Sequence, residues 1–99
     1  MSQDINMRMR INIKEMIKMA MAFIQIGVEP GKEEEVKKSL KNLNYLSCKI
    51  EEAYLTYGEF DVVMKISSDA TENINHFIMA LRKVKGIRRT VTSLVIGTI

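Results

Sequence analysis

The chain has 99 residues, the length of one small domain, and a chain this short buries only about 60–65% of the surface its unfolded form exposes, so a partner subunit is a natural complement. Hydrophobic residues at 46% and charged residues at 27% describe an ordinary globular composition, and no run of about 18 apolar residues is present to span a membrane, which points to the cytosol. One cysteine, Cys48, and one histidine, His76, exclude an internal disulfide and a cysteine-based zinc cage, so no metal or other cofactor is expected.

The formal net charge of +3 invites a nucleic-acid reading, but its distribution argues against one. Residues 1–20 hold Arg8, Arg10, Lys14 and Lys18 against Asp4 and Glu15, a net of +2, which leaves 11 cations against 10 acids in the remainder. The body of the chain is nearly neutral. A basic cluster at Arg82, Lys83, Lys85, Arg88 and Arg89 falls around the end of an expected helix, where cations oppose the negative end of the helix dipole.

Residues 1–20 stand apart as an N-terminal arm. Six of the eight methionines lie within residues 1–21, and charges interrupt the stretch too often for a secretory leader. Within the arm, MRMRINI alternates apolar and polar residues at the strand period. IKEMIKMAMA then reads as a short helix or as a continuation into the next strand. The arm either pairs with something or is an extension from an early start codon.

The domain proper, residues 21–99, begins with a β-rich AFIQIGV that ends at the punctuation EPGK. A helix over residues 32–43 follows, with Val36, Leu40 and Leu43 spaced along one face and Glu33, Glu34 and Glu35 at its positive end, a solvated helix start rather than a metal site. YLSCKIEEAYLTY predicts a long strand, bent or bulged near Glu51 and Glu52, and EFDVVMKI returns antiparallel through a tight turn at Gly58. SSDATENINHFIMALRKVKG predicts a second helix, capped by Ser68 or Asp69, with Ile74, Phe77, Ile78, Leu81 and Val84 as its apolar stripe and Gly86 as its stop. His76 lies off that stripe, as a surface residue. IRRTVTSLVIGTI closes the chain as a β-branched strand.

The order β-α-β-β-α-β predicts an α+β, ferredoxin-like fold, a four-stranded antiparallel sheet with both helices on one face. Phe23, Val63 and alternate members of SLVI then point toward a face that no helix of the chain covers. Apolar surface left in water costs roughly 25 cal/mol per Å², so dimerisation through the sheet is expected. The remaining puzzle is Asp61, an acid one residue into an apolar strand and three residues after Gly58. It is either part of the turn or the recognition group of a site.

With the elements in order, AFIQIGVEPGKEEEVKKSL, YGEFDVVMKI and VKGIRRTVTSLVI resemble successive blocks of the effector-binding domain of the leucine-responsive/asparagine-regulator (Lrp/AsnC) family. The most specific parts are the strand ending in V-E-P-G, the G-x-x-D from Gly58 to Asp61, and the G-I-R-R-T-x-T run from Gly86 to Thr92. The family usually carries an N-terminal DNA-binding helix-turn-helix, for which residues 1–20 offer no room, so the resemblance implies a stand-alone effector domain. It also implies that MRMRINI is the remnant of a linker strand that pairs in the dimer. Further implications are an amino-acid effector bound between dimers, homodimers assembling into an octamer or decamer, and a transcription-regulatory role without catalysis. Carried over by position, the effector-binding residues are Gly58 and Asp61 at the turn and Thr90 and Thr92 on the last strand.

That chemistry is coherent, since a carboxylate holds an effector's ammonium by charge-assisted hydrogen bonds while hydroxyls and backbone N–H groups hold its carboxylate. Each residue also has a plain structural reading. Gly58 can serve turn geometry alone, Asp61 can bond neighbouring backbone, and Thr90 and Thr92 are ordinary strand residues. Tyr54 and Tyr57 flank the turn and can pack on a ligand side chain or at an interface. Three rival functions share the fold. One is a pure oligomerisation partner of DNA-binding relatives. Another is a small dimeric ferredoxin-like-barrel enzyme of oxygenase or isomerase type, for which the sequence offers no nucleophile and base. The third is RNA binding, against which Glu59 and Asp61 stand where phosphates would approach.

Overall fold

In the computed structural model, residues 19–43 and 48–99 are described; the alternating stretch at residues 7–13 and the expected strand start at residues 45–47 lie outside them. Six elements follow in order: β1 (Ala20–Val28), α1 (Glu33–Lys41), β2 (Cys48–Leu55), β3 (Val62–Ser68), α2 (Thr71–Arg82) and β4 (Ile87–Leu94). The strands form one antiparallel sheet in the order β2-β3-β1-β4. This is the ferredoxin-like α+β arrangement expected from the pattern of elements.

Strand period decides which residues meet the helices. In β1, Ala22, Ile24, Ile26 and Val28 are buried; in β3, Val62, Met64 and Ile66 are. Val36 and Leu40 from α1, and Ile74, Phe77, Ile78 and Leu81 from α2, complete one apolar cluster with them, and Leu43, Cys48, Ile50 and Ile87 pack at its margin. The two loops that lead into α1 and β4 are tied together where the Glu29 N–H donates to the Gly86 carbonyl at 2.8 Å. Gly86 sits at φ 96°, and a Cβ there would lie 2.9 Å from Val36 Cγ2. Both the backbone conformation and the space demand glycine at this point.

The bulge expected in the second strand is present, with the β2–β3 register shifting between Ile50 and Glu52. The Ser67 hydroxyl donates to the Glu51 carboxylate at 2.7 Å across this irregularity. That bond holds the Glu51 carboxyl below its ordinary value, helped by Lys49 and Lys65 and opposed by desolvation. The helix cap differs from expectation. Ala70, not Ser68 or Asp69, is the N-cap of α2, without a side-chain capping bond, because β3 runs on through Ser68 and leaves the helix to start at Thr71.

Directly opposed residues of an antiparallel pair share a face. Phe23 opposes Ser93 and Lys65, while Gln25 opposes Val91 and Val63, so these six form the centre of the helix-free face. Phe23 is 44% exposed, Val91 41% and Tyr54, opposite Val63, 58%. The face is apolar but interrupted by Gln25 and by Lys65, whose ammonium lies 3.9 Å from Glu52. Leu94 opposes Ala22 and therefore belongs to the helix side, as do Thr90 and Thr92 opposite Ile26 and Ile24. None of the three is buried, so the helices leave this part of β4 uncovered.

Candidate functional site

The connection between β2 and β3 is longer than a tight hairpin. Residues 56–61 separate Leu55 from Val62, and the loop is closed by the Thr56 N–H donating to the Asp61 carbonyl at 2.9 Å and the Thr56 hydroxyl donating to the Phe60 carbonyl at 2.8 Å. Glu59, Phe60 and Asp61 thus belong to the turn, not to the strand in which the sequence pattern placed them. Gly58 sits at φ 127° with nothing within 4 Å of a would-be Cβ. In this chain its requirement is conformational.

Asp61 is bound at two points. Its N–H donates to the Ile26 carbonyl at 2.9 Å, and its Oδ2 accepts the Val28 N–H at 2.7 Å. Val28 lies where the β1–β4 register shifts, between Gly27 opposite Arg89 and Val28 opposite Ile87. The paired β1–β3 register ends at Ile26 and Val62. The carboxylate therefore extends that ladder by one bond where backbone pairing has stopped. A carboxylate offers about four lone-pair sites. One is occupied by Val28, which orients the group without exhausting it.

Asp61 lies in the wall of a recess of about 370 Å³, together with Val28, Glu33, Leu55, Thr56, Tyr57 and Val62. Glu33 is itself fixed, its carboxylate accepting the Gly31 N–H at 2.8 and 3.1 Å. The recess therefore combines two oriented carboxylates with an apolar lining from buried Val28 and Val62 and exposed Leu55. A cationic head on a short aliphatic body is the complementary shape and charge. Tyr57 is fully exposed at the rim.

The turn is also held from β4. Arg89 Nη2 lies 3.0 Å from Glu59 Oε1, and its guanidinium sits over the Phe60 ring at 4.5 Å from the centroid. To reach them it crosses β1 at Gly27, where a Cβ would approach Arg89 Cγ to 3.2 Å. The pairing of Arg89 with the turn departs from the expectation that it serves the dipole of a helix end; Arg82, in the last turn of α2, does occupy that position. Gly27 and Arg89 are thus the supporting residues that sequence reading missed. A glycine inside a strand pattern was the available signal.

Thr90 and Thr92 do not join Asp61 within one chain. Thr90 opposes Ile26, which opposes Val62, so about two strand spacings, roughly 10 Å, separate it from the turn. Thr90 lines a different recess with Arg82, Ile87, Arg88 and Arg89. Gly58 is absent from both linings, and exposed His76 lines neither. Among the described residues no group of three or more His, Cys, Asp and Glu side chains is placed to hold a metal ion, and no helix is long and apolar enough to cross a membrane.

Comparison with known proteins agrees with this fold. The family model of the Lrp/AsnC ligand binding domain matches residues 21–99. The HTH-type transcriptional regulator FL11 of Pyrococcus horikoshii is 33% identical over 78 residues, which make up 79% of this chain and 49% of the regulator; the chain thus spans about half the length of the curated relatives it matches. The crystal structure of FFRP-DM1 superposes with a TM-score of 0.68 at 33% identity, covering 78% of this chain and 99% of that one. A structure of the transcriptional regulator NMB0573 from Neisseria meningitidis, in complex with L-Met, shares the fold with a TM-score of 0.68 at 19% identity, over 81% of this chain and 51% of its own. On the matched family and its identity to these regulators, the chain belongs to the Lrp/AsnC ligand-binding domain family.

Proposed function

We propose that this chain is an amino-acid-sensing, oligomerising regulatory domain of the cytoplasm, acting in transcription control without enzymatic activity and without direct contact to nucleic acid. Homodimers form through the helix-free face of the sheet and assemble further into an octamer or decamer. The effector lies between dimers, where Gly58 and Asp61 of one subunit meet Thr90 and Thr92 of a neighbour. This placement also gives a use to two sets of residues that lie about 10 Å apart in a single chain.

The reading rests on one observation above the others. Asp61 Oδ2 is held at 2.7 Å by the Val28 N–H in the wall of a recess with an apolar lining, a fixed anion ready for an ammonium. The relative solved with L-Met adds support from the same fold.

A panel of free amino acids in a thermal-shift assay tests the proposal. At least one member should raise the melting temperature of the native chain, and the shift should vanish in Asp61→Asn, which keeps an acceptor for Val28 while removing the charge. If the native chain responds to no amino acid, the effector role is lost. The helix-free face, with Phe23, Tyr54 and Val91 each at least 41% exposed, then favours the second reading, a pure oligomerisation partner of DNA-binding relatives.

A further inference from the structure

The groove between α1 and the edge strand β2 combines an apolar lining with cations. Buried Leu40, Val62 and Met64, half-buried Leu43 and Ile50, and exposed Leu55 surround about 300 Å³ of space. Leu55, 64% exposed, is apolar surface that an occupant would remove from water. Beside this lining α1 contributes Lys37 and Lys41, four residues apart and so neighbours on one side of the helix. Lys37 is half-buried and Lys41 exposed.

The carboxylates of the same elements are engaged elsewhere. Glu51 and Glu52 of β2 face Lys49 and Lys65 at 3.8 and 3.9 Å, Glu35 meets Lys32 at 3.5 Å, and Glu33 accepts the Gly31 N–H. Glu34, one turn before Lys37, forms no ion pair with it, and among the described residues no ion pair includes Lys37 or Lys41. Lysine stems often lie over apolar surface with the ammonium in water. Here two such ammonium groups border one apolar groove, an arrangement complementary to an anion with an apolar tail.

We propose that this groove binds an aliphatic carboxylate of medium chain length, its tail against Leu40, Ile50, Leu55 and Met64 and its carboxylate accepting hydrogen bonds from Lys37 and Lys41. Small-molecule pockets usually have this makeup, an apolar wall with a few convergent polar groups, and the volume falls at the low end of their range. A second copy is a poorer match. Seated about a two-fold axis, it would bring the same lysines into the contact again, like charge with like. The proposed dimer leaves the groove free, since Val62 and Met64 belong to the buried cluster on the helix side of the sheet. Leu55 and Val62 also line the Asp61 recess. The two sites share a wall but differ in charge, with carboxylates in one and ammonium groups in the other, so they select different ligands.

Equilibrium dialysis of the full chain against labelled decanoate, kept below its micelle concentration, tests the proposal. The native chain should bind it saturably and in equimolar amount. Lys37→Gln with Lys41→Gln should weaken binding about tenfold through loss of the charge-assisted hydrogen bonds. Lys38→Gln with Lys85→Gln removes the same charge at positions outside the groove and should bind as the native chain does. Equal affinity for decyltrimethylammonium, or equal weakening in the two double variants, would mean adsorption to the surface and overturn the assignment. So would a native chain that takes up no decanoate, because the groove is then filled by another part of the chain or by a second copy. The amino-acid panel reads the other recess: a chain that binds decanoate but responds to no amino acid keeps this site and loses the effector role.

Discussion

Among the described residues, three carry positive φ, Gly31, Gly58 and Gly86, yet they are not equivalent. Gly31 has open space where a Cβ would go, whereas Gly86 has Val36 Cγ2 at 2.9 Å and Lys32 Cβ at 3.0 Å. Gly31→Ala should therefore lose about 1 kcal/mol for the left-handed backbone alone, and Gly86→Ala about 2 kcal/mol or more because α1 must also shift. Urea unfolding of the two variants separates the effects; equal losses would mean that the contact with α1 relaxes without cost. Asp61 shows a limit of sequence reading at the same scale. Its position three residues after Gly58 marked it as unusual, but its partner Val28 lies 33 residues away. Only the fold brings the two together.

At the scale of elements, periodicity located both helices because burial repeats with the helical turn. Val36 and Leu40 on α1 and Ile74, Phe77, Ile78 and Leu81 on α2 are the buried positions, as the spacing of apolar residues indicated. Ends were less legible. The turn at residues 56–61 is longer than glycine alone suggests, because Thr56, Asp61 and Arg89 stabilise it through bonds to its backbone, to β1 and from β4. The β2 bulge has its own chemical signature. Since the Ser67 hydroxyl is the main cause holding the Glu51 carboxyl below its ordinary value of 4.5, folding gains stability from this group above that pH and loses it as pH falls through the lowered folded value. Ser67→Ala should therefore flatten the stability profile on the acid side of pH 4.5 relative to the native chain. Denaturation midpoints at a series of acidic pH values measure this, and parallel profiles would show that the bond carries no linkage.

For the whole molecule, the helix-free face is the feature with the largest consequence. Phe23 and Val63 on the central strands and Val91 beyond them leave apolar area in water around Gln25 and Lys65. Burying such area is favourable at roughly 25 cal/mol per Å². The paired charges of Lys65 and Glu52, 3.9 Å apart and partly exposed, would add little to the strength of the proposed dimer. Phe23→Lys places a second ammonium opposite Lys65 and should return the proposed dimer to the mass of one chain in light scattering, with melting no longer dependent on concentration. A native chain that already scatters as a single copy would contradict the proposed dimer.

The sequence by itself determined the order of elements, the buried positions, the bulge near Glu51 and the family. Each of these is a local pattern, a period of apolar residues or a short motif, and local patterns survive without knowledge of what lies across the sheet. Tertiary structure decided the rest. It alone placed the Asp61 carboxylate on the Val28 N–H, sent Arg89 across Gly27 to Glu59 and Phe60, and set Thr90 and Thr92 on an uncovered margin apart from the turn. These relations join residues distant in the chain through strand register, and register is fixed by the packing of the whole sheet rather than by any one segment.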